Sequence, residues 1–388
     1  MNICFISFSN IVDDVRIAKE VKELIRAGFK VGAIGVDAFG PIKNSFNIVN
    51  LELILLKKNL LPANTVSSLS KIRKNTYKIK HCFFVIGQIV KFKPKVVHVC
   101  NLELLIAVFL VCKTLRIKIV YDSFEIWADM GRTLFRQKVL NSIVSYLSKV
   151  TFMFLEKHIV RNVDYFICVS HSMADYFAGT YSIKHPIVLT NAPYSCDVFK
   201  EKTNGFIDVL YHGIYSPGRG IEELIKSATY LKKTVRIVLR LSYVENKQYL
   251  QNLIDEYKVG RIVVFSDPVA MSEVVIEASR SHIGVVFTMP TNTNHIHTVS
   301  NKIFDYINAG IPVIMTNVKE HVFLNRIYNF GIIITDFNDQ TVAEAITSLT
   351  SNSILYKNLS DNCRKAAKVL NWQEESKKLV SLYSKIAP

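Results

Sequence analysis

Ser300-Asn301-Lys302-Ile303-Phe304-Asp305 sets a hydroxyl, an amide, an ammonium and a carboxylate in one short run. Ser300 and Asn301 are residues that begin helices. Lys302 and Asp305, three apart, share a face of the helix that follows. A cation and a carboxylate at a helix N-terminus can cradle a nucleotide: Lys302 on phosphate, Asp305 on ribose hydroxyls. The same spacing also describes an amphipathic helix with a solvated ion pair, and periodicity does not separate the two. Gly310 then closes the helix, and Pro312-Val313-Ile314 opens an apolar strand.

A second stretch has related chemistry. Gly213-Ile214-Tyr215-Ser216-Pro217-Gly218-Arg219-Gly220 follows an apolar run and precedes a helical pattern. Gly213 admits close backbone approach to a phosphate, and Arg219 supplies a planar donor beside a helix N-terminus. Ser7–Asp13 is the weaker counterpart near the start of the chain, and neither half carries G-x-G-x-x-G.

The elements that must position these residues alternate along the chain. Asn2–Phe8, Lys30–Val36, Val96–Val99, Lys118–Tyr121 and Tyr165–Val169 have strand character. Val15–Ala27, Leu104–Leu115 and the long amphipathic stretch Arg132–Arg161 have helical character. The pattern breaks around Thr190-Asn191-Ala192-Pro193 and resumes at Val209–His212. Strands at Val235–Leu239, Ile262–Phe265, Gly284–Phe287 and Pro312–Met315 follow, with helices Gly220–Leu231 and Lys247–Tyr257 among them. Alternation of this kind predicts α/β architecture: two Rossmann-like, doubly wound domains, with ligands at the C-terminal ends of the strands. A last helix, Trp372–Ile386, comes after the second sheet is complete.

Composition narrows the class. A 388-residue chain, 49% hydrophobic, has room for more than one domain core. Cysteines at 4, 82, 100, 112, 168, 196 and 363 are odd in number and form no CxxC, which fits reduced thiols and a cytoplasmic protein. His295-x-His297 lacks nearby Cys or carboxylate partners, so no metal site is expected. The longest strongly apolar uncharged run, Leu104 to Cys112, is too short to span a bilayer, and no export signal is expected from the N-terminal residues.

The net charge of +16 is uneven: 26 Lys and Arg face 13 Asp and Glu up to residue 190, and 22 face 19 after it. Between Glu52 and Glu103 no acid occurs, while Lys57, Lys58, Lys71, Arg73, Lys74, Lys78, Lys80, Lys91, Lys93 and Lys95 do. Such a block meets an anionic partner. Interleaved Leu60, Leu61, Ile72, Tyr77, Ile79, Phe83, Phe84 and Phe92 suit a membrane interface better than nucleic acid.

Taken in order, these segments resemble the retaining glycosyltransferases of family 4, bacterial surface-polysaccharide type, with the two-domain GT-B fold. The resemblance runs over nearly the whole chain. It is carried by Asp14–Glu20 with Ala27–Val31, by Val96–Glu103, by Tyr121–Trp127 and by Val169–Met173. Leu210–Gly213, Arg219–Leu224 and Ser300–Ile314 complete it.

The resemblance implies two Rossmann-like domains facing across a cleft, an acceptor-binding domain over 1–193 and a nucleotide-sugar domain over 194–370. A helix at 371–388 would cross back to the first. By position, Gly213, Arg219 and Lys302 would hold diphosphate, joined by Arg240. Ser300 and Asn301 would line the donor site, with Pro268 and Val269 at the base and Asp305 at the ribose. His98 would lie near the transferred sugar and, with Arg219 and Lys302, form the catalytic set. Asn10, Arg16, Asn101 and Glu125 would face the acceptor. The family implies a UDP-, GDP- or dTDP-sugar donor with no metal or cofactor, because guanidinium, ammonium and helix amides offset the leaving group's charge. It also implies a lipid-linked glycan acceptor and a cytoplasmic protein, peripheral on the inner face of the plasma membrane.

The chain departs from the family at named positions. Asp305 stands for a common Glu, His297 for a second Glu, Phe124 for a His, and Cys100-Asn101 for a polar pair. Two other readings keep the fold: a sugar-nucleotide epimerase, and a catalytically degenerate subunit that scaffolds a polysaccharide assembly complex.

Overall fold

The computed structural model describes residues 1–37, 48–57, 68–126, 150–151, 153–196, 202, 205–242 and 247–387. Lys58, Leu60, Leu61, Trp127 and most of the Arg132–Arg161 stretch lie outside them, as does part of the interdomain linker. The chain forms two compact units, Met1–Leu189 with Ser376–Pro388, and Thr190–Glu375. The second unit therefore begins at the break in the alternation near Thr190.

The first unit carries β1 (Ile3–Ile6), α1 (Val15–Arg26), β2 (Val31–Asp37), β3 (Glu52–Lys57), α2 (Ser68–Phe92), β4 (Val96–Val99), α3 (Leu102–Thr114), β5 (Lys118–Ser123), β6 (Tyr165–Cys168), α4 (His171–Tyr181) and β7 (Ile187–Val188). Its strands are parallel, in the order β3-β2-β1-β4-β5-β6-β7. Ile3–Ile6 and Val96–Val99 are buried on both faces, which is why they read as short continuous apolar runs. α1 begins where the Asp14 carboxylate accepts from the Ile17 N–H, and Gly28, at φ +91°, follows its last turn. Helix α2 and strands β3 and β7 do not stand out in the alternation pattern, because α2 carries an apolar stripe on two faces and β7 is two residues long.

The second unit carries β8 (Ile207–Gly213), α5 (Ile221–Ser227), β9 (Val235–Leu241), α6 (Lys247–Glu256), β10 (Val263–Ser266), α7 (Val274–Ala278), β11 (Ile283–Val286), α8 (Thr293–His297), α9 (Asn301–Asn308), β12 (Val313–Thr316), α10 (Lys319–Tyr328), β13 (Gly331–Ile334), α11 (Asp339–Ser351), α12 (Ser353–Ala367) and α13 (Trp372–Ile386). Its six strands are parallel in the order β10-β9-β8-β11-β12-β13. One apolar cluster packs each face of this sheet.

In both sheets the strand order reverses beside the first strand. The crevices lie between β1 and β4 and between β8 and β11, where ligands sit in doubly wound folds. α13 starts in the second unit, and from Ser376 onward its residues belong to the first. There Leu379, Leu382, Tyr383 and Ile386 are buried.

Candidate active site

The second crevice collects the donor-side residues. β8 ends at Gly213, whose φ of +115° only glycine adopts without strain. A Cβ there would lie 2.9 Å from Lys302 Cε, so the lysine stem runs directly over the glycine. Lys302 Nζ stands 5.2 Å from the centroid of the Tyr211 ring. Burial first, and then the positive charge of Arg219, pull the Lys302 ammonium down to about 8, with Asp305 acting in the opposite direction. A second cation that raises the cost of ionising Lys302 marks a place suited to an anion. Arg219 is steered by a 3.5 Å contact from Nη1 to Thr288 Oγ1, just beyond β11.

Helix α9 presents Lys302 and Asp305. Ser300 occupies its N-cap in extended conformation without a capping side-chain bond, so the cap side chain leaves the first amides of α9 untouched. Asn301 is exposed beside it. The helix is fixed through Tyr306, which lies flat on Gly284 of β11: a Cβ at Gly284 would sit 2.3 Å from the ring. Tyr306 Oη donates to Leu210 O at 2.9 Å and accepts from the His212 N–H at 3.3 Å. This locks the second turn of α9 against the end of β8.

Sequence reasoning passed over His212. It sits directly before Gly213, its Nε2 3.5 Å from Asp305 Oδ2 and its ring tilted on Tyr306. Burial, then Lys302 and Arg240, push it down to about 3, so it is neutral at ordinary pH. Its placement between a Gly loop and a strand was the available signal. Arg240, across from His212 in register, is buried with Nε and Nη1 lacking hydrogen-bond partners. Burial lowers its pKa, with Glu277 opposing. Two buried guanidinium nitrogens without a partner among the described residues are costly and fit an anionic or carbonyl ligand. Asp267-Pro268-Val269 leave β10 at the same end of the sheet, beside Arg240; Asp267 and Pro268 are exposed and Val269 is half-buried. His297 ends α8 and is buried.

In the first unit two of the expected site residues lie among buried side chains. His98 is wholly buried. Its Nδ1 is 2.7 Å from Tyr383 Oη, its ring stacks on Phe5 at 4.2 Å, and its Nε2 lies 3.4 Å from both Glu20 Oε2 and Asp122 Oδ2. The ring expected near the transferred sugar is thus enclosed by side chains of its own unit. Arg16, expected on the acceptor side, is also buried. It donates to both Asp122 oxygens at 3.0 and 2.9 Å and to Leu189 O at 2.7 Å, and its Nε lies 3.0 Å from Glu20 Oε1. The fork geometry satisfies the guanidinium inside the unit.

Burial, and then Asp122, hold Glu20 well above the usual carboxylate range. Asp122 is held below it by Arg16 and His98 against its own burial. Glu20, His98 and Asp122 bring donor atoms within 4.8 Å, a metal-like spacing, but Arg16 already supplies the cation there. Asn101 Oδ1 accepts from Phe8 N at 3.0 Å and Ser7 Oγ at 3.3 Å, shaping the loop after β1. Asn10 donates to Asp13 Oδ2 at 2.8 Å, while its own buried Oδ1 lacks a partner. Glu125 is half-buried after β5, and Phe124 lies under the Arg16 guanidinium at 5.0 Å.

Comparison with known proteins agrees with this architecture. The family model described as Glycosyltransferase Family 4 matches residues 15–191, and the one described as Glycosyl transferases group 1 matches 197–368. The chain is a glycosyltransferase of the family 4 type, built on the GT-B fold. Among solved structures, this glycosyltransferase resembles sucrose-phosphate synthase from Thermosynechococcus elongatus, with a TM-score of 0.74 and 14% identity over 99% of this chain and 98% of that one. HepE from Anabaena in complex with UDP-glucose gives 0.72 and 12%, covering 99% of each chain. WaaG, a glycosyltransferase involved in lipopolysaccharide biosynthesis, gives 0.65 and 13%, covering 98% and 99%. No curated protein sequence matches the chain.

Proposed function

We propose that this glycosyltransferase moves a hexose, with retention, from a nucleotide-diphosphate sugar to a lipid-linked glycan acceptor in surface polysaccharide synthesis. The observation that carries the reading is the Lys302 stem lying over Gly213 within electrostatic reach of Arg219, with Asp305 one turn along α9. As the glycosidic bond breaks, the leaving diphosphate gains charge. Arg219, Lys302 and the α9 amides offset that charge without a metal ion, and Asp305 takes the ribose hydroxyls. The UDP-glucose bound to the Anabaena relative makes uridine the base to test first. Asn10, Arg16, Asn101 and Glu125 would lie on the acceptor side. The basic block supports a cytoplasmic protein held at an anionic membrane.

Calorimetry with UDP-, GDP- and dTDP-sugars tests the reading. Micromolar binding of one of them, lost in Lys302→Met, is expected, and failure of all three to bind would refute it.

Enclosure of His98 and the apolar Phe124 favour a second reading, a subunit that binds donor and scaffolds an assembly complex without transfer. Donor binding with neither transfer nor slow donor hydrolysis would select it. Release of a modified nucleotide sugar without acceptor would instead indicate an epimerase.

A further inference from the structure

His212 has no part in the transfer as proposed, yet the donor crevice holds it firmly. It is the penultimate residue of β8 and only 6% exposed. Its backbone N–H donates to Tyr306 Oη, and its ring lies 4.7 Å from the Tyr306 ring, tilted by 33°. Both contacts come from α9, the helix that also carries Lys302 and Asp305. Its Nε2 is buried and makes no hydrogen bond among the described residues, while Asp305 Oδ2 stands before it at 3.5 Å. A buried ring nitrogen left short of a bond is costly. The oxygen that would relieve that cost is a few tenths of an ångström beyond bonding range.

A neutral imidazole carries one ring proton, and a carboxylate beside Nε2 favours the tautomer with the proton there. Burial, then the charges of Lys302 and Arg240, push the ring down to about 3 and keep it neutral. The donor facing Asp305 is therefore an uncharged N–H. Its neutrality has a consequence for the phosphate side of the crevice. Asp305 lies three residues from Lys302 and already acts on it through its charge. A carboxylate turned fully to that ammonium would cancel the charge meant for phosphate. A cationic partner for Asp305 would instead add a like charge beside Lys302 and Arg240. A neutral N–H holds the carboxylate without either effect.

We infer that His212 is a positioning residue, whose Nε2–H holds Oδ2 of Asp305 and so makes the crevice discriminate ribose from deoxyribose. The bond closes as the donor's hydroxyls draw the carboxylate into place, and Asp305 keeps its second oxygen for them. The inference rests on the reading of Asp305 as the ribose ligand and goes beyond it by naming what sets that carboxylate.

The test is calorimetry of the intact chain with UDP and GDP, each paired with its 2′,3′-dideoxy form. The ratio of the paired dissociation constants reads the ribose contact for whichever base binds. His212→Asn places its amide where Nδ1 stands, too short to reach Asp305, and His212→Gln places it near Nε2. His212→Asn should lower the ratio about ten-fold, as for loss of one hydrogen bond to a charged group, with the dideoxy nucleotide bound as in the wild type. His212→Gln should restore the ratio. Asp305→Ala should remove the discrimination, and His212→Asn added to it should change nothing further. A wild-type ratio in His212→Asn, while Asp305→Ala loses it, would overturn the role of His212 and leave the donor reading intact. Equal weakening of both nucleotides by His212→Asn, without rescue by His212→Gln, would also overturn it, in favour of a merely structural residue. A ratio untouched by Asp305→Ala, or no binding of either nucleotide, would refute the donor reading and the inference with it.

Discussion

Lys302 is at once the most exposed prediction and the most constrained residue of the donor site. Its folded pKa, about 8, lies below the unfolded value of 10.5. The unfolded chain therefore binds more protons between these values, and stability rises with pH across the window. Below about pH 8 the full cost of the buried charge is present. Lys302→Met should thus raise the melting temperature of the ligand-free protein at pH 7 while abolishing donor binding, checked by thermal shift and calorimetry. In the wild type, donor affinity should fall as pH rises above about 8, because the neutral amine no longer meets the diphosphate. Arg219→Ala should cost about 2–4 kcal/mol of transition-state stabilisation, measured as kcat/KM, as for loss of a charged donor. Lys302, Asp305 and Arg219 could be proposed from the sequence because each depends on local spacing or on one glycine-rich loop. The burial of His98 and Arg16 was not legible, because their partners, Tyr383 and Asp122, stand 285 and 106 residues away.

At the level of elements, the donor site depends on how α9 is seated. Tyr306 rests on Gly284 so closely that no side chain fits between them. Gly284→Ala should displace the ring, break its bond to Leu210 O and cost about 1–3 kcal/mol by urea denaturation. Because the ring seats the helix that carries Lys302 one turn earlier, donor affinity should fall in parallel. Helix α9 was readable from its start residues, its period and Gly310. That it packs on a strand glycine was not, since Gly284 looks like any small residue in a buried strand.

For the whole molecule, the chain's last residues complete a unit begun at its first. Leu379, Leu382, Tyr383 and Ile386 are buried within the first unit, and Tyr383 holds His98. Fully burying four such side chains is worth about 6–12 kcal/mol, comparable with the total stability of a domain. A chain ending at Glu375 should therefore lose protection in α1, β4 and β5 by hydrogen exchange. Tyr383→Phe, which removes one hydrogen bond, should cost only about 1 kcal/mol by urea denaturation.

The sequence by itself determined the family and the twin parallel sheets. Strand and helix periods, capping residues and glycine-rich loops act over a few residues, and a reader can follow them locally. Only the tertiary structure decided that His98 is sealed, that Arg16 is a buried pair to Asp122, and that His212 sits neutral beside Asp305. Burial is a property of what arrives from far along the chain. The same imidazole or guanidinium is a catalyst at a crevice and a core hydrogen-bonding group beneath a helix that joins it hundreds of residues later.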